Sequence, residues 1–265
     1  MMLSIVIPSF QRADLLEFGL ASLAKQTITC DYEVIVLNDG VVDDTEAICT
    51  RFSKILPMKY VYTGYRNAKE LKWRIPGFAI NIGAKLAQGK NMIITCPEIY
   101  VLNNCVEYMV ELLNENPKRL VITEGKDDRG ANFLNALKFG TDHNILTQMF
   151  DGHTGNTHPL NTEYPFFMGM SRQAFLDIGG YDEDFVGFCW DDLDVVTRLQ
   201  KSGCQYHKIT AKIVHLYHPR LRYGLEDTKV KWKDNEKMFY DRITIIKRNE
   251  GRAWGVLDVP SNVSS

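Results

Sequence analysis

The sequence has no closely spaced cysteine pair, no long apolar run, no strong charge of either sign and no internal repeat. Each absence removes a class of protein. The six cysteines (Cys30, Cys49, Cys96, Cys105, Cys189 and Cys204) are scattered without a C-x-x-C spacing. They read as reduced thiols of a cytoplasmic protein, not as a disulfide or zinc framework. No apolar stretch approaches the ~20 residues of a membrane-spanning helix. The first residues run into a strand-like segment without a basic leader or cleavage site, so no signal peptide is expected there. A net charge of -2 gives no electrostatic case for a nucleic-acid or membrane partner, though it leaves room for a local basic patch. No low-complexity or linker segment divides the 265 residues, a length that suits one large domain with or without an extension.

What is present is a rhythm. Hydrophobic residues make up 45% of the chain, enough for a sizeable core. Residues 3–8 (LSIVIP), 33–37 (EVIVL), 59–63, 91–95 (NMIIT) and 120–123 are short, apolar runs, as strands buried on both faces are. Helical segments are expected between them over 13–25, 43–55, 78–86 and 103–116, the last stopped by Pro117. The alternation predicts right-handed crossovers and a mostly parallel α/β sheet flanked by helices. Residues 125–165 lose the rhythm and read as a loop-rich excursion that includes His143, His153 and His158. Strand character returns over 164–170. A helix follows over 191–201, a last strand over 212–216 and a C-terminal helix over 227–248.

In an open parallel sheet, ligands bind outside the carboxyl ends of the strands. Polar clusters fall at four such ends, at residues 9–12, 38–40, 96–98 and 215–222, and bring Arg12, Asp39, Glu98 and His215 towards one edge. A second feature is the acidic group Asp191, Asp192 and Asp194, which opens a helix. Neighbouring carboxylates raise one another's pKa, whereas a helix N-terminus lowers it. The three acids could simply favour the helix start, or one could serve as a proton acceptor.

In order, the chain carries Pro8-Ser9-Phe10-Gln11-Arg12, the turn Asn38-Asp39-Gly40 and Asn81-Ile82-Gly83. It then carries Gly179-Gly180-Tyr181-Asp182-Glu183, Trp190-Asp191-Asp192 and His215. In this order and spacing they resemble glycosyltransferase family 2, with its GT-A (Rossmann-like) fold. The resemblance implies a nucleotide-sugar donor, expected to be UDP-linked, Mn²⁺ or Mg²⁺, and inversion at the anomeric carbon. It implies a domain over 1–223, with a nucleotide-sugar half (1–124) and an acceptor and catalytic half (125–223), and a helical extension with a tail over 224–265. Asp192 matches the family's general base, and Asp191 the acid before it. Asp39 matches the base-reading aspartate, although a carboxylate in such a turn can also make an Asx-turn. Pro8, Phe10, Arg12 and Asn81 fall in the donor-binding motifs. Arg74, Arg220 and Arg222 are candidates to grip the diphosphate, since guanidinium matches phosphate oxygens bidentately. Trp73 and Trp190 could stack on a sugar or form core.

There is one departure. Where the family carries Asp-x-Asp after the fourth strand, this chain reads Thr95-Cys96-Pro97-Glu98. Glu98 is the one carboxylate left, and His215 is the second expected metal ligand, with His218 as its alternative. A non-catalytic sugar-binding protein is therefore a rival reading. A sugar nucleotidyltransferase ranks lower, because residues 9–12 lack a glycine-rich phosphate loop. The residues leave the acceptor open among a glycan, a lipid-linked saccharide, a protein and a modified nucleic-acid base.

Overall fold

The computed structural model describes residues 2–40, 42–64, 75–152, 158–159, 166–187, 189–219 and 225–257. Its first half follows the sequence pattern. β1 (Leu3–Ser9), α1 (Ala13–Leu23), β2 (Tyr32–Asn38), α2 (Thr45–Phe52) and β3 (Met58–Tyr62) alternate, and α3 (Gly77–Leu86) leads into β4 (Asn91–Thr95). β2 pairs in parallel with β1 and β3, and β4 pairs in parallel with β1. β1 is buried at every position, the reason its sequence is an unbroken apolar run. Alternate residues face two cores. Ile5, Ile7, Val34 and Val36 pack with Leu16 and Leu20 on one face, while Val6, Ile35 and Leu37 pack with Ile80 and Ile82 on the other.

Beyond β4 come β5 (Ile99–Val101), α4 (Val106–Glu115), β6 (Arg119–Asp127), α5 (Asn132–Lys138) and α6 (His143–Asp151). They are followed by β7 (His158–Pro159), β8 (Phe167–Ser171), α7 (Arg172–Asp177), α8 (Asp191–Lys201), β9 (Gln205–His215) and α9 (Leu225–Asp241). The strand order is β3-β2-β1-β4-β8-β6-β9-β5, with β7 beside β6. β8 runs antiparallel to both β4 and β6, and β5 runs antiparallel to β9, while β6 and β9 are parallel. The sheet is thus parallel on its N-terminal side and mixed beyond it. The sequence does not distinguish the two, because β8 is also buried at every position and reads like a parallel strand.

Three expectations need correction. Residues 125–165 are not mainly loop: α5 and α6 pack Phe133, Leu134, Leu146 and Phe150 against Tyr100, Val214 and Leu216. Both helices are short, so neither repeats its period often enough to be read. An acidic side chain stabilises the start of each. Asp128 accepts hydrogen bonds from the Phe133 and Leu134 backbone N–H groups, and Asp142 from that of Asn144. The last strand begins at Gln205, because its exposed first half hides the pattern. The C-terminal helix ends at Asp241, and the segment after it turns back to bury Arg248. All six cysteines are unpaired, and no helix among the described residues is long and apolar enough to cross a membrane.

Candidate active site

Backbone pairing assembles the first cluster. β9 lies between β5 and β6, with His215 opposite Ile99 on one side and Asp127 on the other. The Leu216 N–H donates to the Glu98 carbonyl at 2.8 Å, and the Asp128 N–H to the His215 carbonyl at 2.9 Å. The loop carrying Glu98 rests on α1 at Gly19, where a Cβ would come within 2.7 Å of the Pro97 carbonyl oxygen. Glu98, His215 and His218 consequently converge, each offering one ligand atom within 4.8 Å of the others. His215 Nε2 lies 3.4 Å and His218 Nε2 3.5 Å from Glu98 Oε1.

The surroundings of these donors fit a divalent cation. His215 Nδ1 is 3.0 Å from Asp127 Oδ1, the arrangement that holds the proton on Nδ1 and directs the Nε2 lone pair inward. Glu98 Oε2 is buried without a hydrogen-bond partner, an atom that a cation would satisfy. Burial lowers the His215 pKa, but Asp127 and Glu98 outweigh it and raise it to about 9, so without a cation Nε2 also carries a proton at neutral pH, and a cation would bind by displacing it. Burial likewise opposes the Glu98 charge, yet the two imidazoles hold its pKa below the ordinary carboxylate range. Arg12 donates to His218 Nδ1 at 3.0 Å. With Nδ1 accepting from Arg12, the proton of a neutral ring sits on Nε2, towards Glu98; Nε2 is free for a metal only in the other tautomer, in which Nδ1 gives up the Arg12 bond and donates to the Pro219 carbonyl 3.2 Å away.

The second cluster opens α8. Asp191 is buried and Asp192 half-buried. The Tyr181 hydroxyl donates to Asp192 Oδ1 at 3.0 Å. Burial raises the Asp192 pKa to about 6, with the Tyr181 hydrogen bond opposing it. Burial and the neighbouring Asp192 charge raise Asp191 as well. Two adjacent buried carboxylates resist ionising together, so the pair holds a proton more readily than a single exposed acid. Cys96 ties the two clusters together. Its thiol pKa is raised by burial and then by the charges of both Glu98 and Asp192.

Asp194 belongs to neither cluster. Its carboxylate pairs with Arg198 Nε at 2.7 Å and with an Arg248 terminal nitrogen at 3.0 Å, and all three side chains are buried. Arg198 also donates to the Ile178 and Gly180 carbonyls at 2.9 and 2.7 Å. Asp194 is thus a structural acid that fixes α8 to the 178–180 turn.

The remaining candidates divide. Pro8 is buried in β1, and exposed Phe10 lies against Gly40. Arg12 joins the histidine cluster instead of standing alone. Asp39 accepts from Thr63 Oγ1 at 2.6 Å, so at least one of its oxygens is held by β3's end and not by an Asx-turn. Asn81 is held by the core. It is fully buried, donates to the Tyr181 carbonyl and Glu183 Oε1, both at 3.0 Å, and accepts from the Tyr181 N–H at 2.8 Å. Trp190 packs among Trp232, Phe239 and Tyr240. Trp73, Arg74, Arg220 and Arg222 lie outside the described residues. Sequence reasoning gave no role to Asp127 or Tyr181. Tyr181 lay inside a quoted motif, whereas Asp127 is paired only through the β6–β9 register.

Comparison with known proteins decides the family. The model for glycosyl transferase family 2 matches residues 4–179, more than half of the chain. The chain belongs to glycosyltransferase family 2. A second model, for the N-terminal domain of galactosyltransferase, matches residues 160–220, the stretch that holds the acid pair and both histidines. Chondroitin synthase of Escherichia coli is 26% identical over 247 residues, covering 82% of this chain and 35% of that one. Validoxylamine A glucosyltransferase of Streptomyces hygroscopicus subsp. jinggangensis is 25% identical over 232 residues, covering 76% of this chain and 52% of that one. The chain therefore spans about a third to a half of these curated relatives.

Solved structures share its fold. A mannosyltransferase from Pyrobaculum calidifontis, in complex with GDP-Man and Mn²⁺, superposes with a TM-score of 0.60 at 15% identity, over 91% of this chain and 64% of that one. Residues 1–349 of TarS from S. aureus, in complex with UDP-GlcNAc, give 0.61 at 14% identity, over 95% and 75%. The expected GT-A architecture is the one these neighbours have.

Proposed function

We propose that this family 2 chain is an inverting glycosyltransferase that moves a sugar from a UDP-linked donor to an acceptor hydroxyl. The observation that carries the reading is the convergence of Glu98, His215 and His218 around a buried Glu98 oxygen without a partner. It supports a cation-binding cluster, to which Asp192, hydrogen-bonded by Tyr181, adds a proton acceptor. Glu98, His215 and His218 would hold a divalent cation, with Asp127 orienting His215. Such a cation, when bound, neutralises the charge that develops on the diphosphate leaving group.

The chain's own residues account for the rest. Asp39 accepts a hydrogen bond from the nucleobase, and Arg12 supplies positive charge beside the diphosphate. Asp191 positions the acceptor. Asp192 takes the acceptor's hydroxyl proton as the new bond from oxygen to the anomeric carbon forms. The bond from that carbon to the diphosphate oxygen breaks on the opposite face, and its electron pair leaves with UDP. A single displacement of this kind inverts the anomeric centre. A base with a pKa near 6 is ionised at neutral pH and retains useful proton affinity.

The acceptor is proposed to be a saccharide hydroxyl, in keeping with the chondroitin synthase and glucosyltransferase relatives. The test is UDP release from a panel of UDP-sugars with Mn²⁺ and then with EDTA. Release that depends on the sugar and stops with EDTA supports transfer. Binding of UDP-sugars without release would favour a non-catalytic sugar-binding protein.

A further inference from the structure

The turn that delivers the acid pair is built against the preference of its own residues. Gly187, Cys189 and Trp190 all have positive φ, at 87°, 68° and 75°. Glycine enters this region freely. In cysteine and tryptophan the Cβ crowds the backbone there, so two such residues in succession persist only when their surroundings impose the conformation.

Two features of α9 impose it. Asn235 is buried, and its Nδ2 donates to the Val186 carbonyl at 2.9 Å and to the Cys189 carbonyl at 3.2 Å. Its Oδ1 accepts from the Val186 N–H at 3.4 Å. One side chain thus grips both ends of the turn. The Trp190 ring then lies 5.2 Å from Phe239, 5.6 Å from Tyr240 and 6.1 Å from Trp232, all on α9. On the far side, the Trp190 carbonyl accepts from the Asp194 N–H at 2.8 Å and so closes the first turn of α8. The contacts run from α9, through Cys189 and Trp190, to the helix turn that carries Asp191 and Asp192.

We infer that Asn235 is a positioning residue for sugar transfer. It holds Cys189 and Trp190 in the left-handed conformation that aims Asp192 at the acceptor, and α9 is the part of the chain that keeps the base in place. The inference rests on the reading of Asp192 as the base. Asn235 acts through Val186 and Cys189, whose backbone groups it bonds. Simple attachment of α9 would need no strain in the partner segment. Here the attachment coincides with two non-glycine residues in a disfavoured conformation, immediately before the reacting acids.

The test uses the full chain with 5-fluorotryptophan incorporated, the Trp190 resonance being identified by its loss in Trp190→Phe. Asn235→Ala should move that resonance and lower kcat ~10- to 100-fold, with the KM for the UDP-sugar unchanged. Adding Cys189→Gly, which removes the Cβ conflict, should return the resonance towards its native position and recover part of kcat. Asn235→Ser, which keeps one hydrogen-bonding group, replaces Asn235→Ala should the latter not fold. An unmoved resonance, an unchanged kcat or a glycine variant that restores neither would overturn the inference. If the native chain releases no UDP from any donor, the proposed function fails. The resonance and its restoration by glycine then decide alone whether Asn235 holds the turn.

Discussion

The buried phenol of Tyr181 donates a 3.0 Å hydrogen bond to Asp192 Oδ1. Tyr181 is itself immobilised. Its backbone is bonded on both sides by Asn81, and its ring fills the space at Gly77, where a Cβ would come within 2.5 Å of it. The orientation of the carboxylate therefore derives from the core between α3 and α8.

Tyr181→Phe should move the pH dependence of transfer. The hydrogen bond favours ionised Asp192, so its loss raises a pKa that burial already holds at about 6. A base works only when deprotonated. In the native protein kcat should rise with pH through about 6 and then level off. In the variant the rise should sit at higher pH, with activity at neutral pH reduced several-fold and largely regained on the alkaline side. A pH profile of kcat checks this. A lower plateau with an unmoved rise would mean that Tyr181 only packs.

Asp127→Asn should weaken Mn²⁺ binding ~10- to 100-fold, because His215 loses the partner that orients it. Titration calorimetry with Mn²⁺ measures it. Mn²⁺ should also bind more tightly than Mg²⁺, since two of the three protein ligands are imidazoles. An unaltered Mn²⁺ affinity in the variant would remove His215 from the site.

Arg198→Ala should cost ~3–5 kcal/mol of stability, since it leaves the buried Asp194 carboxylate with Arg248 alone and strips two carbonyls of their donor. Urea unfolding gives the value. A loss below ~1 kcal/mol would mean that the pair is solvated in solution.

Asn81→Ala should lower stability by ~1–3 kcal/mol, because it leaves the Tyr181 backbone N–H unsatisfied in the core. The KM for the UDP-sugar should stay the same. A raised KM with stability intact would restore Asn81 as a donor contact.

The parallel strands and the helix over 191–201 were legible because their residues are buried in periodic patterns. α5 and α6 were not, since seven and nine residues give too few turns to establish a period. At the site, Glu98 and His215 could be read from strand ends. Asp127 could not be paired with His215, because sequence does not state that β6 lies beside β9. The roles of Asp192 and Asp194 differ although they stand two residues apart. What separates them is burial and the arginine on each side, which is tertiary information. Asn81 is named among the donor contacts by family resemblance alone; its side chain is buried and bonded to Tyr181 and Glu183.

The most direct test of the account is Asp192→Asn measured in two ways, by titration of a UDP-sugar in the presence of Mn²⁺ and by turnover with an acceptor. The variant keeps the shape of the side chain and removes its ability to take a proton. Donor affinity should remain at the native level while turnover falls ~100- to 10,000-fold. Turnover close to native, with donor binding intact, would contradict the assignment of Asp192 as the base.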